Sequence, residues 1–136
     1  PYTTNAQTNV DYRYHGRGPI QISWNFNYDM ATDFLGLPDN ELVNKAYRVA
    51  QEAWIAWGCA IWYWMTQDGP GADGLSCHDA IYGGYSYART TWSINGALEC
   101  NGGYPSKVQT RIDNFTSICS SLGVSTGATG DSYCND

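Results

Sequence analysis

The chain has 136 residues, one domain's worth, and 43% of them are hydrophobic, six being tryptophan, which is enough for a buried core. Its formal charge is −6, and Lys45 and Lys107 are its only lysines. An acidic, lysine-poor surface argues against nucleic acid and anionic membranes as partners, and no apolar run approaches the ~20 residues of a membrane span.

Residues 1–13 are polar and irregular, with no signal-peptide pattern in the opening PYTTNAQTN. A start at Pro1 without methionine points to processing or to a longer parent. A glycine- and aromatic-rich segment follows, and a helix is predicted from Trp24 to Phe34, broken by Gly36, Pro38 and Asp39. Glu41–Asn44 is expected to form a short helical turn. Tyr47–Met65 carries the strongest helical signal, with Ala50, Ala53, Trp54, Trp57, Ile61 and Trp64 recurring at three and four. That pattern predicts a largely buried central helix, with Trp54, Trp57 and Trp64 in the core. Gln67–Leu75 is a loop of turn formers, Cys77–Ile81 a short helix, and Tyr82–Tyr87 an aromatic-glycine turn whose Tyr82, Tyr85 and Tyr87 are candidates for a surface patch. Ala88–Cys100 and Ser106–Leu122 are the last two helices, Gly123 a C-terminal stop, and Ser125–Asp136 a glycine- and serine-rich tail. No internal repeat or linker divides residues 1–136, so a single domain is expected.

Five cysteines are present, Cys59, Cys77, Cys100, Cys119 and Cys134. No CxxC pair or histidine spacing supports a zinc site, so disulfides in a secreted protein are the better reading. The odd count leaves at least one thiol over. Asn114-Phe115-Thr116 is a glycosylation sequon.

The most informative stretch is Tyr14–Tyr28, YHGRGPIQISWNFNY. Gly16 and Gly18 permit backbone angles that other residues avoid, and Pro19 is expected to push Gly18 towards extended geometry. The alternation Ile20, Gln21, Ile22, Ser23, Trp24 then predicts an extended segment with Gln21 and Ser23 on one side and the apolar residues on the other. Amides and hydroxyls in step with aromatic rings suit a groove for a neutral glycan.

This segment resembles the GRGPIQ(L/I)S-x-N-x-NY signature of the plant-type chitinases, glycoside hydrolase family 19. Further stretches agree in the same order: Ala60–Thr66 (AIWYWMT), Ser76–Ile81 (SCHDAI), Ser93–Cys100 (SINGALEC) with Lys107–Phe115 (KVQTRIDNF), and the closing Cys134. The resemblance spans nearly the whole chain from Tyr12 onward. It implies a mainly α, lysozyme-like chitinase fold, no cofactor, secretion, and inverting hydrolysis of β-1,4-linked N-acetylglucosamine polymers. It also implies a Cys100–Cys134 bridge pinning the tail at 124–136.

The family's general acid lies in a HETGG-type motif ahead of the signature, with the general base a little further on. Only thirteen residues precede Tyr14 here, and they hold no glutamate. The chain is therefore expected to correspond to the later part of the catalytic domain, without the N-terminal part that carries the catalytic glutamates. By resemblance Ser23 helps hold the attacking water, and Gln21, Asn27 and Asn95 bind sugar. Phe26 stands where many members have tyrosine, at the loss of one hydroxyl contact. Glu99 and Arg111 match a charge network beneath the catalytic carboxylates; an ordinary interhelical ion pair is the alternative. The other candidate carboxylates, Asp11, Asp29, Asp68, Asp73 and Asp79, lie in no motif that serves as an acid. Arg17 is expected to hold the signature loop through backbone carbonyls.

Two readings follow. One is a chitinase-like protein that acts on or binds chitin or a related glycan and is inactive as this chain alone, its partner being an N-terminal segment. The other is a non-catalytic extracellular structural or glycan-binding protein on a truncated chitinase fold, prone to self-association through exposed apolar surface. A peptidoglycan-directed relative is a more remote third.

Overall fold

The conformation of the signature segment is set by a short backbone closure. In the computed structural model, which describes residues 14–70, 74–84, 86–127 and 134, Arg17 and Ile22 pair as an isolated antiparallel bridge, with N···O distances of 3.1 and 3.0 Å. The residues between them turn back rather than run extended. Gly18 has φ 70° and Gln21 φ 55°, and the Gln21 N–H returns to the Gly18 carbonyl at 3.1 Å. The predicted extended strip is thus a tight turn. Glycine at 18 takes the left-handed region that proline's influence on its neighbour was expected to deny it. A Cβ at Gly18 would also lie 3.3 Å from the Val49 side chain.

The chain divides into two compact units at Tyr63/Trp64. In the first, α1 (Asn25–Phe34) and α2 (Glu41–Asn44) follow the turn. Thr32, fully buried, joins them: its Oγ1 donates to the Tyr28 carbonyl at 2.8 Å and accepts from the Leu42 N–H at 3.1 Å. The predicted Tyr47–Met65 helix is two helices, α3 (Arg48–Gln51) and α4 (Ala53–Thr66), separated by extended Glu52 at φ −114°, ψ 109°. Arg48 grips the Glu52 carboxylate with two nitrogens, Nε at 2.5 Å and Nη2 at 2.8 Å.

The break resets the helical phase, and the buried face is not the one expected. Ile55, Cys59 and Trp62 are buried, at spacings of four and three, whereas Trp54 and Trp57 are 54% and 60% exposed. Trp64 is half-buried. Helix α4 is apolar all round, so periodicity alone cannot select its inner face. The core of this unit gathers Tyr14, Ile22, Tyr28, Leu42, Val49 and Ile55 with Cys59 and Trp62.

The second unit holds α5 (Cys77–Tyr82), α6 (Tyr87–Glu99) and α7 (Pro105–Leu122). Ser76 caps α5 by accepting from the Asp79 N–H. Pro105 opens α7, where its missing N–H costs nothing. Gly123 closes it at φ 67°, with Gly123 and Val124 N–H returning to the Ser120 and Cys119 carbonyls in a Schellman motif. Ala88, Cys100, Val108 and Cys134 form the core with Trp92 and Ile112 against them. Cys100 and Cys134 are joined by a disulfide, and Cys59, Cys77 and Cys119 are buried free thiols. Burial pushes the Cys59 thiol up to about 11 and the Cys77 thiol to about 12. Among the described residues there is no strand, no helix long and apolar enough to cross a membrane, and no cluster of three metal-ligating side chains.

Of the predicted aromatic patch, Tyr82 is 86% exposed and stacks on His78. Tyr87 instead stacks face to face on Phe115, centroids 4.1 Å apart, and its hydroxyl donates to the Arg111 carbonyl. Its place at the start of α6 turns it onto α7 rather than to solvent. Tyr85 lies outside the described residues, as do Asp11 and Asp73.

Candidate functional site

The sequence-predicted residues fall into two groups, each within one unit. In the first, Gln21 is exposed and its Nε2 donates to the Gly18 carbonyl at 3.0 Å, bracing its own turn. Asn27 is 9% exposed, and its Nδ2 donates to the Ser23 carbonyl at 2.9 Å. Phe26 is 47% exposed and stacks on Trp24 with centroids 6.2 Å apart, so the two rings form an outward-facing aromatic pair. In the same segment, Arg17 Nη1 donates to the Tyr28 hydroxyl at 2.9 Å and to the His15 carbonyl at 3.4 Å, and the Tyr28 hydroxyl donates to that same carbonyl at 2.9 Å. Burial raises the Tyr28 hydroxyl pKa, against the opposing hydrogen bond from Arg17. Arg17 therefore ties the loop to α1.

In the second unit, Asn95, Glu99 and Arg111 form one network. The Glu99 side chain is only 3% exposed. Arg111 meets it bidentately, Nε to Oε2 at 2.7 Å and Nη2 to Oε1 at 2.8 Å, and Asn95 Nδ2 donates to Oε1 at 2.9 Å. The Arg111 hydrogen bonds hold the Glu99 carboxyl below its ordinary value, outweighing burial, with Asn95 adding to the effect. Arg111 is raised in turn. The Asn95-Gly96 pair, unfavourable inside a helix, marks a real interruption: Asn95 sits at φ −157°, ψ 32° within α6. A Cβ at Gly96 would lie 2.2 Å from the Trp92 ring, so glycine there lets the helix resume against the tryptophan.

An open groove of about 310 Å³ runs over this network, lined by Glu99, Ser106, Lys107, Thr110 and Arg111. Ser106, Lys107 and Thr110 are site-lining residues that the sequence reading missed. The signal was available for Lys107, which stands i,i+4 to Arg111 on α7 and shares its face, with Ser106 and Thr110 forming the neighbouring i,i+4 row. Lys107 Nζ lies 4.8 Å over the Tyr104 ring, a cation–π contact at the groove's edge. Asn114 is exposed on the same helix.

Among the described residues, the carboxylates of Glu41, Glu52, Asp79, Asp29 and Asp68 are elsewhere. Glu41 accepts from Lys45 at 2.9 Å and Arg48 at 2.6 Å, and Glu52 pairs with Arg48; hydrogen bonds from Lys45 and from Arg48, respectively, lower the two carboxyls. Asp79 is lowered chiefly by its bond from Ser76. Asp29 and Asp68 are exposed.

Among the described residues the fold is all-helical, with a guanidinium-clamped glutamate lining an open groove. The family model described as class I chitinase, glycoside hydrolase family 19, matches residues 2–132. The chain belongs to that family. It is 38% identical over 134 residues to endochitinase A2 of Pisum sativum, covering 89% of this chain and 40% of the pea protein. It is equally 38% identical over 134 residues to "inactive chitinase-like protein 1" of Hevea brasiliensis, covering 89% of this chain and 41% of that protein. The crystal structure of chitinase C from Streptomyces griseus HUT6037 superposes with a TM-score of 0.77 at 49% identity, over 85% of this chain and 53% of that one. The chain thus spans about two fifths of the length of these curated relatives and about half of that solved structure.

Proposed function

We propose that these residues supply the sugar-binding and charge-network portion of a family 19 chitinase site, that they bind β-1,4-linked N-acetylglucosamine polymers, and that alone they do not cleave them. The observation that carries the second half is the state of the glutamates. The chain has three, Glu41, Glu52 and Glu99, and each is paired with arginine and shifted towards the ionised form. Inverting hydrolysis needs one carboxyl that keeps its proton near neutral pH, with a second carboxylate ~6.5–9.5 Å away across a water. Glu99 is held the wrong way for the acid, and among the described residues no other carboxylate lines the groove. On this reading a further segment bearing a protonatable glutamate joins before the site hydrolyses.

The binding half is supported by the exposed Phe26–Trp24 pair, by Gln21 on the turn, Ser23 just after it and Asn27 in the first turn of α1, and by Asn95, which donates to the groove-lining Glu99. Secretion and glycosylation at Asn114 complete the reading: the disulfide needs an oxidising compartment, and Asn114 and Thr116 are both exposed. A structural, self-associating role is the second reading, favoured by Trp54, Trp57, Ile61 and Met65, all more than two fifths exposed along one stripe of α4.

The test is incubation of the purified chain with N-acetylglucosamine hexasaccharide, following products and binding on one sample. Binding without products is expected. Products would overturn the argument from the committed glutamates. Absence of binding, with a dimer or larger species in sedimentation, would replace the first reading by the second.

A further inference from the structure

The interruption of α6 is filled by another part of the same unit. In an unbroken helix the Ala97 N–H would donate to the Ser93 carbonyl. Here the Ala97 N–H donates to the Pro70 carbonyl at 2.9 Å, and the Ser93 carbonyl accepts from the Gly69 N–H at 2.5 Å. One lost intrahelical bond is replaced by two, routed through the Gly69-Pro70 dipeptide. Both freed backbone groups are satisfied, as buried helix interiors require.

The dipeptide suits this position at each atom. A Cβ on residue 69 would lie 2.4 Å from the Ile94 carbonyl oxygen and 2.5 Å from that of Ser93, so any side chain would push the loop out of the break. Residue 70 contributes only its carbonyl, and proline brings no second N–H that would need a partner. The break they occupy holds Asn95, whose backbone departs from helical φ by about 90° and whose side chain donates to Glu99. Beyond it, the resumed turn delivers Glu99 to Arg111.

We propose that Gly69-Pro70 is a positioning element for the site: by splicing into α6 it keeps the break open and aims Asn95 over the Glu99–Arg111 pair. Neither residue lines the groove, so the element acts through Asn95 and not by contact with sugar. The link to sugar rests on the glycan-binding reading above; the splice itself does not.

The experiment uses the full 136-residue chain, isotope-labelled, as wild type and G69A. Three quantities are read: hydrogen exchange at the Ala97 amide, the Asn95 side-chain amide shifts with the pH titration of the Glu99 carboxyl carbon, and hexasaccharide affinity. In G69A the Ala97 amide is expected to exchange at least about tenfold faster, the scale of one lost backbone hydrogen bond. The Asn95 resonances and the Glu99 midpoint should move, and affinity should fall about tenfold or more. Unchanged Ala97 exchange would overturn the splice. Faster exchange with unmoved Asn95 and Glu99 signals would overturn the positioning role and leave only a structural one. If the wild type binds no hexasaccharide, the glycan-binding reading fails, while the exchange and titration data still decide the splice. Should G69A not fold, P70G keeps both hydrogen-bonding groups, removes proline's restraint and adds one N–H at residue 70. It should speed Ala97 exchange about threefold, a smaller loss of order, and no acceleration would overturn the proposal.

Discussion

Replacing Arg111 by methionine would leave the Glu99 carboxylate, 3% exposed in the intact pair, with Asn95 as its remaining donor, since Arg111 supplies two of its three hydrogen bonds. Breaking a buried ion pair from one side costs ~3–5 kcal/mol, because a buried charge loses its compensation. Arg111 is itself a third exposed, so water reaches part of the gap, and the lower end applies: about 3 kcal/mol at pH 7, or roughly 10 °C in Tm for a chain of this size. The pH dependence is the sharper test. In the wild type the Glu99 carboxyl lies below its ordinary 4.5, so its contribution is fully present above that value and is lost as pH falls through the lowered folded pKa. Without Arg111, burial dominates and moves the carboxyl up. Proton uptake then relieves the variant, and the difference between the two proteins shrinks on acidification from pH 7 towards 4.5, by at most about 1.4 kcal/mol per pH unit. Urea unfolding of both proteins with the disulfide intact, at half-unit pH steps, measures that difference and cancels the carboxylates they share. A cost below about 1 kcal/mol, or one that does not change with pH, would refute the assignment of Glu99 as a buried, arginine-held carboxylate.

Thr32→Val removes the donor to Tyr28 and strands the buried Leu42 N–H; a loss of about 1–3 kcal/mol is expected in chemical unfolding, and a neutral result would mean water replaces the hydroxyl. Cys134→Ser opens a bridge closing 34 residues of sequence separation and should cost up to roughly 4 kcal/mol on the chain-entropy estimate, read as a lower urea midpoint, with hexasaccharide affinity retained while the chain stays folded. Phe26→Tyr adds a hydroxyl to the 47% exposed ring beside Trp24; calorimetric titration should give about two- to tenfold tighter hexasaccharide binding, the worth of one hydrogen bond. An unchanged affinity would take Phe26 out of the binding surface.

Much of this protein was legible along the chain because the deciding forces are local. Pro105 and Gly123 bound α7 through a missing N–H and a left-handed cap. Gly36, Pro38 and Asp39 end α1, whereas Asn95-Gly96, poor in helix propensity, lies in a segment predicted as one helix that the structure interrupts. The family motifs named Gln21, Ser23, Asn27, Asn95, Glu99 and Arg111, and the structure gathers the last three into one network. Where distant groups decide, local pattern had nothing to report. The turn at 17–22 is closed by a backbone pair rather than by the alternation between its ends. The inner face of α4 could not be read from a helix apolar all round. It follows from the phase break at Glu52, which Arg48 holds, and from which residues the core has room to bury. The partner of the α6 break sits 24 residues upstream of Ser93, in a loop whose glycine and proline read only as turn formers. Sequence determined which segments are helices and which side chains carry chemistry, because capping, propensity and motif identity act within a few residues. Tertiary structure alone decided which faces are buried and what fills the break, because packing and backbone hydrogen bonding are settled between residues far apart in the chain.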